Sequence, residues 1–361
     1  MRSPRIWVGL DVGADESMAC GTDDGGSVLF EQRLPTSAAA LHALLKPDKR
    51  RIGLIGLESG PFGIVLTRSL RKLGYPVAMF EARQASKFLA IRRNKTDGND
   101  ARGLADIARL GRDSVSEVRV KSPENPRLRS ILTTRQSLVR LRLQTEATMR
   151  SLLRLNGGRL VGSTSAAVFR KNVTDELNRL RKTEKVDLTE DIEPLFALSL
   201  AMRTYLTALD EKLARKAEQD PICRRFLAIP GIGPISALCF LSSIDDPARF
   251  RRNADVGAYL GLVPVVRQSG QSVTRLRISK AGDAMTRGLL STAALHHLRV
   301  GKTSLANWGA GLSERLGKRG VQTALARRLA FTMLAMWKSG EPFDPDRGAF
   351  QAQIAQEDTV A

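Results

Sequence analysis

Ile6-Trp7-Val8-Gly9-Leu10-Asp11-Val12-Gly13 reads as a β-strand that carries an acid at its end and stops on a glycine. The run is apolar apart from Asp11, so the strand is buried and the carboxylate leaves at the sheet edge. Two more runs, Ser27–Arg33 and Ile52–Leu57, have strand character, and Ser17–Thr22 is a weaker strand between them. Ser37–Leu45 and Ile64–Leu73 carry helical periodicity. Val77–Phe80 follows the turn signal Gly74-Tyr75-Pro76 and reads as another strand. Three strands with short connections, then strands alternating with helices, give a mixed α/β sheet with helices packed on it.

Composition shifts near Pro123-Glu124-Asn125-Pro126. Leu128–Leu155 holds no Gly or Pro and is rich in Leu, Arg and Gln, which predicts a long helix. Residues 157–163 are Gly-rich, and the basic, weakly periodic stretch that follows, to Val186, reads as a loop or insertion. Leu188–Ala217 is helical again. The two helical segments read as an antiparallel hairpin, either an assembly element or a solvated spacer. A third unit opens near Phe226. In it Ile235–Ser243, Arg251–Leu260, Asp283–Leu298 and Val321–Trp337 are expected helices, with a Gly- and Ser-rich basic loop reaching Lys280. The tail after Phe343 is polar and is expected to fray.

The chain has 361 residues, enough for two or three domains at ~150 residues each. Its composition is 42% apolar, which supports a real core and excludes wholesale disorder. A formal net charge of +20 points to a polyanionic partner, nucleic acid before a membrane surface. No apolar run reaches the ~18 residues of a membrane span. No hydrophobic signal core precedes Asp11, so secretion is not expected. Three cysteines, Cys20, Cys223 and Cys239, without a Cys-x-x-Cys pair, point to reduced thiols, a cytoplasmic address and no structural zinc.

Chemistry concentrates in four acids. Asp11 ends one strand, and Glu58, in Leu57-Glu58-Ser59-Gly60, ends another. Lys95-Thr96-Asp97-Gly98-Asn99-Asp100-Ala101-Arg102 opens a helix, and its two acids, three residues apart, share one side of the first turn. Crowded carboxylates repel unless a cation neutralises them, and hard oxygen donors select Mg²⁺ or Mn²⁺. Two such ions ~3.5–4 Å apart would clamp the attacking and leaving oxygens of a phosphodiester. Taken singly, Asp100 also fits a surface charge, Asp97 an N-cap and Asp11 a turn residue. A strand followed by Asp-x-Gly also opens sugar-kinase and actin-like ATPase domains, but their second acidic glycine turn and Gly-Gly adenosine loop are not evident here.

Arg267-Gln268-Ser269-Gly270-Gln271-Ser272 lies in a stretch with Arg275, Arg277 and Lys280 and no acid after Asp255. A serine there fits either a nucleophile on phosphorus, with the cations stabilising developing charge, or a loop that grips phosphate. The only histidines are His42, His296 and His297, so a Ser–His triad is not supported, and the His296-His297 pair reads as helix surface. Pro230-Gly231-Ile232-Gly233 before a helix resembles the hairpin of helix–hairpin–helix modules, whose backbone amides hold a phosphate; a plain helix–turn–helix joint is the alternative.

Together these motifs resemble the DEDD insertion-sequence transposases with a C-terminal catalytic serine, the bridge-RNA-guided recombinases, to which Piv-type DNA invertases are related. The resemblance runs over nearly the whole chain. It rests on Asp11, Glu58, Asp97 and Asp100 in the Lys95-Thr96-Asp97 frame, and on Ile229-Pro230-Gly231-Ile232-Gly233. Further on it rests on Ala258-Tyr259-Leu260-Gly261-Leu262-Val263-Pro264, on Ser269-Gly270, on Ile278-Ser279-Lys280-Ala281-Gly282 and on Ser339-Gly340-Glu341-Pro342-Phe343-Asp344.

The resemblance implies a RuvC-like, ribonuclease-H-type α/β N-terminal domain, a helical coiled-coil middle and a small, mainly α C-terminal transposase domain. The boundaries expected are 1–122, 123–222 with a basic insertion near 157–185, 223–345, and a tail of 346–361. It implies Mg²⁺ (or Mn²⁺) on the four acids and Ser269 as a nucleophile forming a covalent phosphoserine link to DNA. Lys95, Arg102, Gly231, Gly233, Arg267, Arg275, Arg277 and Lys280 are the expected nucleic-acid contacts. The expected partners are donor and target DNA, a structured noncoding guide RNA, and further copies of the chain in dimers and tetramers, at the nucleoid and without a membrane. The rival readings are a RuvC-like structure-specific endonuclease that uses water and an inactive nucleic-acid-binding protein.

Overall fold

The computed structural model describes residues 5–90, 96–110, 115–163, 165–269 and 272–346, with backbone alone in 266–269 and 272–276. The chain divides into two compact units, Met1–Lys121 and Ser122–Ala361.

In the first unit, β1 (Ile6–Val12), β2 (Glu16–Thr22), β3 (Val28–Pro35), β4 (Ile52–Glu58) and β5 (Val77–Phe80) form one mixed sheet in the order β3-β2-β1-β4-β5. β1, β2 and β3 pair antiparallel, while β4 and β5 extend the sheet from β1 in parallel. Period-two alternation sorts the side chains onto two faces. Val8, Leu10, Ile55 and Leu57 meet Leu41 and Leu45 of α1 (Ala38–Leu45) and Leu66 and Leu70 of α2 (Pro61–Lys72). Leu54, Ala78 and Phe80 face the other way, with Trp7 beside them. They pack on Ala85 of α3 (Ala82–Leu89) and on Leu104, Ile107 and Ala108 of α4 (Asp97–Leu110).

The second face has room for α4 only because two strand positions are glycine. A Cβ on Gly9 would stand 1.9 Å from the Ala101 carbonyl oxygen and 2.3 Å from the Ala105 nitrogen. One on Gly56 would stand 3.1 Å from the Leu104 carbonyl oxygen. The backbone of α4 therefore lies directly on β1 and β4, the close approach that a strand glycine permits.

The second unit begins with α5 (Glu124–Leu155), 32 residues and about 48 Å long at ~1.5 Å per residue. It runs antiparallel to α7 (Thr189–Gln219): the start of α5 (Leu128, Leu132) shares a core with the end of α7 (Leu213, Ala217), and Met149 and Leu153 meet Ile192 and Phe196 at the other end. The basic stretch read as a loop or insertion is instead a helix, α6 (Ala166–Thr183), which buries Phe169, Val173 and Leu180 against α5 and α7. Three core positions among many charges leave a faint periodicity in the sequence, and the neighbouring helices supply the apolar wall that stabilises α6. Glu146 is buried in this bundle. It accepts from Ser199 Oγ at 3.0 Å and pairs with Arg203 at 2.8 Å, and the Arg203 guanidinium lies over the Phe169 ring.

The remainder is a small lobe of α8 (Pro221–Phe226), α9 (Pro234–Ile244), α10 (Asp255–Tyr259), β6 (Pro264–Ser269), β7 (Ser272–Ile278), α11 (Ala284–Val300), α12 (Ser304–Gly311) and α13 (Ser313–Ser339, kinked at Gly317). Two expectations fail here. The helix expected over Arg251–Leu260 is confined to α10, because Asp255 holds the Arg252 amide and guanidinium in the turn before it. The expected Gly- and Ser-rich loop is an antiparallel hairpin, β6–β7, whose alternating Val, Thr, Leu and Ile residues outweigh its glycine and serines. All three cysteines are buried as free thiols. Among the described residues no helix is long and apolar enough to cross a membrane.

Asp283 ties this lobe to α5. It caps α11 through the Met285 amide, accepts from Ser243 Oγ of α9 and Thr286 Oγ1, and takes both ends of the Arg129 guanidinium. Burial alone would raise its carboxyl above the ordinary 3.8; the hydrogen bonds from Arg129, Ser243 and Thr286 outweigh burial and hold it well below that value.

Two stability tests follow from these contacts. Gly9→Ala places a methyl against helix backbone that cannot rotate away, and should cost roughly 3 kcal/mol, the upper end for overpacking; urea unfolding followed by circular dichroism reads the loss. A carboxyl lowered on folding contributes stability above pH ~4 that disappears as pH falls below it. Asp283→Asn should therefore cost about 2–3 kcal/mol at pH 7, with the gap to wild type narrowing at pH 3. A gap that stays constant between the two pH values would show that the charge is not what Asp283 contributes.

Candidate active site

Asp11 and Glu58 end up side by side because β1 and β4 are parallel and in register, with Leu10 opposite Leu57. Leu10 and Leu57 belong to the α1–α2 core, so the residue after each points to the opposite, α4-covered face. Both carboxylates are partly exposed at the C-terminal ends of their strands. Asp97 and Asp100 lie on the first turn of α4, one turn ahead of the Ala101 carbonyl that meets Gly9. Strand register and glycine packing thus place all four acids on one side of the sheet.

Asp97 is not the N-cap of α4, which was one sequence reading of it. Thr96 caps the helix, its Oγ1 accepting from the Asn99 amide at 3.2 Å. The Asp97 carboxylate is therefore available for other partners, and it takes one from β3: Arg33 Nη2 donates to Asp97 Oδ2 at 2.6 Å. Arg33 also lies 3.7 Å from Glu16. On the same strand face Glu31 accepts from Arg102 of α4. The sequence carried a signal for Glu31 and Arg33 that was not read: two opposite charges at i, i+2 on a strand share one face.

The donor chemistry fits a hard divalent cation, since all four side chains offer carboxylate oxygens. Among the described residues, however, no three His, Cys, Asp or Glu side chains converge closely enough to hold one. The acids share a face, while Asp97 is drawn toward β3 by Arg33.

In the second unit the motifs around the serine come together. Gly261 and Gly282 are both left-handed (φ +69° and +74°) and press on each other's strand ends. A Cβ on Gly261 would lie 2.2 Å from the Ala281 carbonyl oxygen, and one on Gly282 2.0 Å from that of Tyr259. Arg287 of α11 donates to the Leu260 and Ala281 carbonyls, closing the base of the hairpin. The two segments 258–264 and 278–282 are thus the foot of β6–β7. Ser269 is the last residue of β6, paired with Ser272 across the turn. Gly270 and Gln271 lie outside the described residues.

The expected nucleic-acid contacts meet different surroundings. Arg277 and Lys280 are exposed near the hairpin foot. Arg267 and Arg275 are strand residues of the hairpin, with backbone alone described. Lys95 lies outside the described residues, and Arg102 is paired with Glu31. Gly231 is held at φ +90° against α11, where a Cβ would meet the Ala293 carbonyl oxygen at 2.6 Å, so packing alone accounts for it. Gly233 begins α9 with open space around it. The loop is anchored by His297, which is fully buried rather than on a helix surface. Its Nδ1 donates to the Pro230 carbonyl at 2.7 Å, and its Nε2 accepts from Thr303 at 2.8 Å. Burial pushes the His297 pKa down, keeping the ring neutral in this role.

Comparison with known proteins adds family information to this geometry. A family model described as Transposase, of the DEDD IS110 type, matches residues 8–156, and one described as Transposase IS116/IS110/IS902 family matches residues 223–308. A probable family 20 transposase of Pseudomonas aeruginosa is 30% identical over 78% of this chain and 83% of its own length. The transposase for insertion sequence element IS1111A of Coxiella burnetii is 27% identical over 93% of this chain and 90% of its own length. The transposase for insertion sequence element IS1328 of Yersinia enterocolitica is 24% identical over 90% and 94%.

The two loop glycines separate packing from ligand binding. Gly231→Ala should lower the melting temperature by several degrees, because strain and a backbone clash coincide there. Gly233→Ala has neither problem and should melt like wild type. If the α9 N-terminus holds a phosphate, that variant should still weaken DNA retention in a filter-binding assay; unchanged retention would remove Gly233 from the contact surface.

Proposed function

Because the chain belongs to the IS116/IS110/IS902 transposase family, and so is a DNA transposase, we propose that it cuts and rejoins DNA strands through a covalent phosphoserine formed by Ser269, guided by a structured noncoding RNA. The observation that carries this reading is the pairing of two features in one chain. One is a set of four acids on a single side of a mixed sheet, and the other is a basic hairpin whose foot is locked by two glycines and whose turn adjoins Ser269. The five-stranded sheet with acids at two parallel strand ends supports a RuvC-like N-terminal domain, and the antiparallel α5–α7 pair supports a coiled-coil middle. We take 1–122, 123–222 and 223–345 as its functional regions.

In this mechanism Asp11, Glu58, Asp97 and Asp100 would hold Mg²⁺. When bound, Mg²⁺ supplies positive charge that stabilises the phosphoryl oxygens and the leaving sugar oxygen. The Ser269 hydroxyl gives its proton to solvent, which returns one to the leaving sugar oxygen, and the serine oxygen bonds to phosphorus. The bond from phosphorus to one deoxyribose oxygen breaks, and that oxygen leaves as a protonated sugar hydroxyl. Rejoining is the same exchange onto another strand's sugar hydroxyl, so the phosphodiester energy is conserved and ATP is not needed. Arg267, Arg275, Arg277 and Lys280 would hold the phosphate backbone near the hairpin, and the net charge of +20 would do so along longer stretches of nucleic acid.

A long helical region separates the acids from the serine in sequence, so each catalytic centre is proposed to join the acids of one protomer to Ser269 of another within a dimer or tetramer. Ser269→Ala should abolish cleavage and the covalent protein–DNA adduct while leaving DNA binding within about twofold, since charge dominates phosphate binding. Alanine at any one of the four acids should also abolish cleavage, and EDTA should do the same to wild type. Mixing Asp11→Ala protein with Ser269→Ala protein should partly restore cleavage if centres are shared. A demonstrated hetero-oligomer with no cleavage would exclude sharing. Cleavage by Ser269→Ala without an adduct would favour a RuvC-like endonuclease that uses water.

A further inference from the structure

We propose that Arg33 is the built-in counter-cation of the acid cluster, occupying Asp97 when no divalent ion is bound and thereby setting the metal affinity of the site. The inference rests on the reading of Asp97 as a metal ligand.

Register supplies the first argument. Asp11 pairs with Met18, and Met18 pairs with Arg33, so the three residues form one row across β1, β2 and β3. Paired residues of antiparallel strands share a face, so Arg33 stands on the α4 side with Asp11, two strand spacings or about 10 Å away. The guanidinium reaches across that face to Asp97 at 2.6 Å, with Glu16 at 3.7 Å on its other side. Strand pairing thus places the positive charge on the face that the acids share.

A second contact shows that this pair is not needed merely to moor the helix. Arg102 of α4 bonds to Glu31 two residues earlier on the same strand, and neither residue is among the four acids. Glu31 Oε1 also lies against Gly98, where a Cβ would come within 2.3 Å of it. The first turn of α4 is therefore held to β3 independently of Asp97. Arg33, by contrast, engages a proposed ligand, Asp97.

Electrostatics gives the direction. Four carboxylates on one side of a sheet repel, and a guanidinium offsets part of that repulsion when no metal is present. Metal binding draws Asp97 Oδ2 into competition between Arg33 and the ion. The two side chains are 52% and 56% exposed, so solvent screens the pair and it yields readily. The effect on affinity is correspondingly several-fold.

The test is Mn²⁺ titration of the full-length protein, reading free Mn²⁺ by electron paramagnetic resonance, with no DNA present and no turnover required. R33Q and R33A should each bind Mn²⁺ about 3- to 5-fold more tightly than wild type, and R33K, which keeps the charge, should fall between. In a D97N background R33Q should make no further difference. Equal or weaker binding by R33Q and R33A, in protein that melts like wild type, would overturn the inference while leaving the four-acid reading intact. Wild type that binds no Mn²⁺, or binding unchanged by D97N, would overturn the metal-ligand reading of Asp97 and this inference with it.

Discussion

The first unit depends on the contact between the backbone of α4 and Gly9. No other residue fits there, because a single methyl would occupy the space of the Ala101 carbonyl oxygen. The consequence is positional. With α4 seated on β1 and β4, its first turn projects over the same face on which Asp11 and Glu58 emerge. The strands bring two acids together through parallel register, and the helix brings two more through close packing. Neither device would put all four on one face without the other, and both are fixed by backbone geometry rather than by the acids themselves.

The second unit solves a similar problem with different means. A two-stranded hairpin is marginal alone in water, yet β6–β7 carries the proposed nucleophile and must be held still. Its foot is fixed by two left-handed glycines set against each other's backbone, and Arg287 bonds to both strands' approaches. Directly after Gly282, Asp283 bonds Arg129, Ser243 and Thr286, so the hairpin foot is continuous with the tie between α5, α9 and α11. Rigidity is thus concentrated at the foot of the hairpin. The role proposed for Ser269 suits such a placement, since sites supported by a rigid foot hold geometry better than free loops.

Charge is distributed unevenly between these tasks. The excess of 57 basic over 37 acidic side chains serves a polyanion broadly. Several individual arginines serve the fold instead. Arg129 and Arg203 each pair with a buried or half-buried acid, Arg102 moors α4, and Arg33 faces the acids. A basic residue in this sequence is therefore not by that fact a DNA contact, since Arg129 and Arg203 are spent inside the fold.

The sequence by itself determined the sheet of the first unit and carried the motifs of the candidate site. The strands of the first unit were legible because burial on one or both faces leaves period-two or continuous apolar runs, and most of α5 because Leu128–Leu155 holds no Gly or Pro. Asp11, Glu58, Asp97, Asp100 and Ser269 are singled out by their joint order and by the family resemblance, since each taken alone also fits a structural role. Tertiary structure alone decided what long-range contact creates. α6 has too few apolar positions to declare itself and forms because α5 and α7 wall it. The β6–β7 hairpin hid behind its glycine and serines because its stability comes from a foot built by residues on either side of it. His297 lies in a chain segment that reads as surface and is buried by a loop 67 residues away. For Arg33 the sequence shows only that it shares a strand face with Glu31: its partner is 64 residues distant, and only strand pairing puts a cation in the row of Asp11. Local periodicity is written in adjacent residues, whereas these contacts depend on how separate elements meet.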